Sequence, residues 1–232
     1  MAPWQYIPQP PSRAPLRVGV LALSSDCGPE AEFPIFLKHW LAFPASGKLP
    51  LAIMMTARMD NGDTTTLETL KSMAAVMQAS AMSIYPYQDE ACKTLDVLIF
   101  GCTSGSLAIG ESEVERLITT SKPCKTVIQV SASIRDALNA LGAKKIAVLT
   151  PYVDEVNVTV DKFMASMGVE VVACASFGCP TDFEINAVTP GALMDAGVKL
   201  VRSAPQTVDA LFISCTALLV STRLAAMETE LG

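Results

Sequence analysis

Two segments of this chain end an apolar run on the same dipeptide: LDVLIFGCTSGS (95–106) and VDALFISCTALL (208–219) match almost position for position. A chain built this way has to place two equivalent Cys-Thr pairs at two equivalent strand ends. The correspondence extends upstream, where RVGVLAL (17–23) pairs with KKIAVLT (144–150) and PLAIMMTAR (50–58) with VEVVACASFG (169–178). Each apolar, β-branched run leads through a small polar turn into helical periodicity, including a long helix predicted over 67–82. Strand–helix repetition closes by crossover into parallel sheets. The predicted fold is therefore α/β: two pseudo-symmetric doubly wound halves, each with a mainly parallel four-stranded sheet flanked by helices, and an active site in the cleft between them. The first half is assigned to 16–143 and the second to 144–232. The strand CKTVIQV (124–130) has no counterpart in the second half, which runs to METELG. A last strand and helix of that half are expected to be missing: either the half is genuinely shorter, which leaves a sheet edge uncovered, or the sequence is a truncated form.

Half of the residues are hydrophobic and only 17% are charged, which suits aliphatic strands and Ala-rich helices. A net charge of −6 argues against binding nucleic acid through its phosphates. No apolar run reaches the length that spans a bilayer. Residues 1–15 carry five prolines and no apolar core of a secretory signal, and read as an extended Pro-rich arm. The seven cysteines include no CxxC pair, so neither a disulfide framework nor a zinc site is expected, and free thiols suit a reducing, cytoplasmic setting.

Cys102 and Cys215 are the candidate catalytic residues. Each follows a strand at its carboxyl end, the edge where open α/β sheets bind ligands, and each is expected to open a helix whose N–H groups lower the thiol pKa. Thr103, Ser104 and Thr216 offer hydroxyls there, the amides around Ala217 can surround an anion, and Gly105 permits close approach. Cys92, Cys124 and Cys174 read as core, whereas Cys27 and Cys179 fall in loops near the same edge. His39, the only histidine, lies in a helical segment. No GxSxG, GxGxxG or P-loop pattern occurs, so the chemistry left is two-sided proton transfer or addition by thiols, with no cofactor or metal.

At these residues the chain resembles the aspartate/glutamate racemase superfamily, and within it the branch of maleate cis-trans isomerase and arylmalonate decarboxylase. The resemblance rests on LALSSDCGPEAE (21–32), GCTSGS (101–106), TPYVDEVN (150–157), SFGCPTDFEINAV (176–188) and SCTAL (214–218). It implies a homodimer acting on a small carboxylate. It also implies that Cys102 adds to an alkene carbon, that Cys215 delivers and removes the neighbouring proton, and that Tyr152, Ser25, Thr103, Ser104 and Thr216 hold carboxylates. The branch's decarboxylases carry glycine at the position of Cys102. Two departures stand out. The isomerase motif PSSN is here Leu23-Ser24-Ser25-Asp26, and a second expected asparagine aligns with Asp182; an amide donor has become an acceptor-only group at both places. Arg58 is the candidate counter-charge for a substrate carboxylate, and MDNGDTTT (59–66) beside it reads as a lid. The alternatives are an amino-acid or hydantoin racemase exchanging an α-proton between the thiols, an arylmalonate decarboxylase-like enzyme, and a catalytically silent binding homologue.

Overall fold

The computed structural model describes residues 16–42, 52–84 and 94–232. Strands β1 (Leu16–Leu23), β2 (Ala52–Met59), β3 (Leu95–Phe100) and β4 (Cys124–Gln129) form one parallel sheet in the order β2-β1-β3-β4. Strands β5 (Lys145–Thr150), β6 (Glu170–Ser176) and β7 (Ala210–Ile213) form a second parallel sheet in the order β6-β5-β7. The orders superimpose as β1 on β5, β2 on β6 and β3 on β7, which is the duplication read from the sequence. Among the described residues nothing stands on β7 as β4 stands on β3, so the second sheet has three strands.

The central strands explain the arrangement. Val20 to Leu23 of β1 and Ile146 to Thr150 of β5 are buried, as in strands covered by helices on both faces. The helices present apolar stripes to them. Val114, Leu117 and Ile118 are the buried positions of α5 (Glu111–Ser121), and Val156, Val160 and Met164 those of α7 (Asp154–Ser166). Spacings of three and four residues put each set on one helix face. Each fully buried aliphatic side chain of this kind contributes about 1.5–3 kcal/mol. Gly142 ends α6 (Val130–Leu141) in the left-handed region at φ 65°.

Three sequence expectations are corrected. The stretch 67–82 is two helices, α2 (Leu67–Ser72) and α3 (Ala74–Ser83). Met73 between them keeps helical angles while the hydrogen bond from Val76 N–H tightens to its carbonyl three residues back. Cys174 is exposed on β6 rather than part of the core, because that strand is largely half-buried or exposed. Cys215 does not open a helix: β7 ends at Ile213 and α10 (Leu224–Leu231) begins well downstream. The Pro-rich arm and Cys92 lie outside the described residues. Among the described residues no helix is long and apolar enough to cross a membrane.

Candidate active site

The two thiols reach one cavity from different local structures. β3 ends at Phe100, and Cys102 is the N-cap of α4 (Thr103–Ile109), its Sγ accepting the Gly105 N–H at 3.2 Å. Gly105 is needed there. A Cβ on it would lie 3.0 Å from Cys102 Sγ, 2.9 Å from Met73 and 3.1 Å from Phe100. Cys215 stands beyond β7 at φ 96°, alone among the described non-glycine residues in having a positive φ. The Ala217 N–H and the Tyr152 hydroxyl lie near its sulfur and favour its thiolate. A turn, rather than a helix end, brings that amide to it.

Tyr152 is fully buried and is fixed by its own motif. Its carbonyl accepts Asn157 Nδ2 at 3.0 Å and the Ser176 hydroxyl, and Thr150 Oγ1 receives its N–H at 3.3 Å. The Ser214 hydroxyl donates to Tyr152 Oη at 3.3 Å. Thr150 and Asn157 of TPYVDEVN, with Ser176 and Ser214, thus fix the phenol that shares the cavity with Cys215.

The first half brings two loops to the same place. Asp26 is buried; its Oδ1 accepts the Gly28 N–H at 2.7 Å, tying down the start of α1 (Gly28–Ala42), and its Oδ2 accepts the Thr216 hydroxyl at 2.7 Å. That second bond joins the two halves beneath the site. Asp182 opens α8 (Asp182–Asn186), but its carboxylate points back to the first half. It accepts the Ser25 hydroxyl, Asn61 Nδ2 at 2.5 Å and the Thr65 hydroxyl at 3.1 Å. Asn186 Nδ2 adds a bond to the Ser25 carbonyl at 2.9 Å, and the Thr65 N–H one to the Pro180 carbonyl at 2.9 Å.

The cavity is lined by Leu23, Asp26, Thr65, Cys102, Thr103 and Ser104 from the first half. The second half adds Tyr152, Asp182, Ile185, Cys215, Thr216 and Ala217. Nine of the residues singled out in the sequence line it. Ser24 and Ser25 do not: Ser24 bonds Asn61 at 3.1 Å, and Ser25 acts through Asp182. Arg58 does not either. Its guanidinium donates to the backbone carbonyls of Leu23, at 2.8 Å, and Asp26, and pairs with Glu30 at 2.7 Å. It braces the loop that carries Asp26. Cys27 is exposed and contacts Asn186, and Cys179 is buried away from the cavity lining. Asn61, Thr65 and Ile185 were not singled out individually; the first two lie in the polar run MDNGDTTT and the third in SFGCPTDFEINAV.

The cavity measures only about 10 Å³, roughly the room of one water molecule. Enclosure also sets the acid–base state. Burial pushes the Cys102 thiol up to about 12, against the downward pull of the Gly105 N–H and the Ser104 hydroxyl; Asp26 and Asp182 push it further. Burial raises Cys215 strongly as well, opposed by the Ala217 N–H and Tyr152 and reinforced by Asp26 and Cys102. Desolvation therefore outweighs the lowering expected of a helix N-terminus, and both resting thiols are protonated. Burial is likewise the main cause that raises Asp26, offset by Thr216 and Gly28 and increased by Asp182. Among the described residues no group of three or more His, Cys, Asp or Glu is placed to hold a metal ion.

Comparison with known proteins fits this geometry. The family model for arylmalonate decarboxylase matches residues 103–232, more than half of the chain. The chain belongs to the arylmalonate decarboxylase family. It is 30% identical over 113 residues to the arylmalonate decarboxylase of Bordetella bronchiseptica, a match covering 49% of this chain and 45% of that protein. The chain thus spans less than half the length of that curated relative. Its fold is that of the maleate isomerase Iso from Pseudomonas putida S16, with a TM-score of 0.79 at 22% identity over 94% of this chain and 86% of the other. A Nocardia farcinica maleate cis-trans isomerase mutant, solved with a covalently bound succinylcysteine intermediate, matches at TM-score 0.70 and 19% identity over 88% and 80% of the two chains.

Proposed function

We propose that the chain is a cofactor-independent isomerase of the maleate isomerase type, in which two cysteines act on a small carboxylate. One observation carries this: a buried and a half-buried thiol, from equivalent points of the duplicated halves, line a single cavity together with one phenol. A decarboxylase needs one thiol, and by the resemblance the branch's decarboxylases have glycine where this chain has Cys102. In the proposed cycle Cys102 releases its proton to solvent as the cleft opens and adds as thiolate to one carbon of a cis alkene. The electron pair moves to the neighbouring carbon, which takes the proton of Cys215. Rotation about the new single bond follows. The Cys215 thiolate then removes that proton, and expulsion of Cys102 leaves the trans alkene. The succinylcysteine of the Nocardia protein is the species such a cycle passes through.

Cys215→Ser tests this. It removes the proton carrier and is expected to leave an adduct of substrate mass on the Cys102 peptide, whereas Cys102→Ser forms none. An adduct in neither variant, with no turnover by the wild type, refutes the reading. A second reading is supported by Asp26 and Asp182, which suit a substrate bearing nitrogen: racemisation with the thiols on opposite faces of an α-carbon. Deuterium uptake at that carbon without cis-trans conversion would select it.

A further inference from the structure

Resting on that reading of the cleft, we propose that its substrate carries at most one carboxylate, and that its second polar arm is a nitrogen group donating N–H bonds to Asp26 and Asp182. A substrate carboxylate needs hydroxyls, amides or a cation. The Ser25 hydroxyl, Asn61 Nδ2 and the Thr65 hydroxyl all converge on Asp182, and the Thr216 hydroxyl and Gly28 N–H on Asp26. Two internal carboxylates therefore already take up these donors at and beside the cavity. The cation is spent too, since Arg58 is turned to Glu30 and to the carbonyls beneath Asp26. No Lys, Arg or His lines the cavity among the described residues.

Acceptor capacity points the same way. A carboxylate offers about four lone-pair sites. Asp182 has three bonds and Asp26 two. Roughly one site on the first and two on the second remain. Those suit the two N–H groups of a primary amide or the three of an ammonium, and a carboxylate can use none of them. What remains for an acid group are the hydroxyls of Thr103 and Ser104 beside Cys102, enough for a single carboxylate. Such a ligand also readies the thiol. Asp26 and Asp182 both oppose ionisation of Cys102, and an N–H donor placed on them weakens that opposition, whereas a second carboxylate strengthens it.

The test is binding, measured by calorimetry in the Cys102→Ser protein so that chemistry does not intervene. Three probes share one carbon frame: maleate, its mono-amide, and cis-γ-aminocrotonate. At least one N–H probe is expected to bind about tenfold or more tighter than maleate, and the tighter of the two separates amide from ammonium. Adding Asp26→Asn with Asp182→Asn restores donors and is expected to invert the order. Asp182→Asn alone, at a half-buried position, narrows the gap if the pair of changes prevents folding. Maleate binding as tightly as the better N–H probe, binding by neither N–H probe, or an order unmoved by the asparagines in a folded protein overturns the proposal. If the preference holds while wild-type protein leaves every probe chemically unchanged, the specificity stands and the isomerase reading fails.

Discussion

Cys102 in the resting protein should be one of its least reactive thiols. Its pKa is pushed from an ordinary 9.0 to about 12. At about pH 8 the thiolate fraction falls from roughly one in ten to roughly one in ten thousand. Alkylation proceeds through the thiolate, so the rate at Cys102 should be lower by about a thousandfold, before any loss from restricted access. Cys27 and Cys174 are exposed and provide references within the same molecule. The assay is iodoacetamide labelling of the folded protein from about pH 7 to pH 10, with each cysteine peptide quantified by mass spectrometry. Labelling of Cys102 should climb about tenfold per pH unit with no plateau in that range. A Cys102 rate equal to that of Cys27 at about pH 8, or a plateau near the ordinary thiol value, would refute the claim that burial sets its protonation. A substrate that opens the cleft should accelerate labelling before it protects.

Other outcomes follow from the same contacts. Tyr152→Phe leaves the buried Ser214 hydroxyl without its acceptor; a loss of about 1–3 kcal/mol in urea unfolding is expected at unchanged m, and an unshifted midpoint would contradict it. Gly28→Ala places a Cβ 2.0 Å from the Thr216 carbonyl oxygen, which forces the two halves apart; a loss of about 3 kcal/mol or more is expected, and wild-type melting would show the contact to be loose. Asp26 has its folded pKa raised above the unfolded 3.8. Its contribution to stability is thus full below that value and lost as pH rises through the folded pKa. Asp26→Asn should therefore raise the melting temperature near neutral pH, with the gain shrinking toward about pH 3. A gain of the same size at both pH values would rule this out. Arg58→Ala should lower stability through the Leu23 and Asp26 carbonyls it braces, by about 1–2 kcal/mol; a selective rise in KM without destabilisation would instead place it at the substrate.

Strands were legible because buried parallel strands write themselves as unbroken aliphatic runs. The two Cys-Thr ends were legible because duplication repeats them. What followed Cys215 was not. SCTALL and CTSGSL carry nearly the same pattern, yet one enters a helix at once and the other turns through a positive φ first. That choice is made by the packing between halves, to which Thr216 contributes by reaching both Asp26 and the Gly101 carbonyl. Arg58 was misplaced for a similar reason, since its partner Glu30 lies on a helix whose direction only the fold sets. Asp26 was legible as a residue of the site, and it lines the cavity. The direction of the thiol shifts was out of reach of the sequence, because it depends on how little space is left around them.

The backbone at Cys215 sets folding and chemistry at odds. A side chain held at φ 96° costs of order 1–3 kcal/mol, and glycine would relieve that strain while deleting the sulfur. Were a population of variants selected for thermal resistance alone, this codon should drift to glycine early, and on the proposed two-thiol cycle activity would vanish as robustness improved. Retention of cysteine under such selection would be the sign that the turn, and not the thiol, is what the position is for.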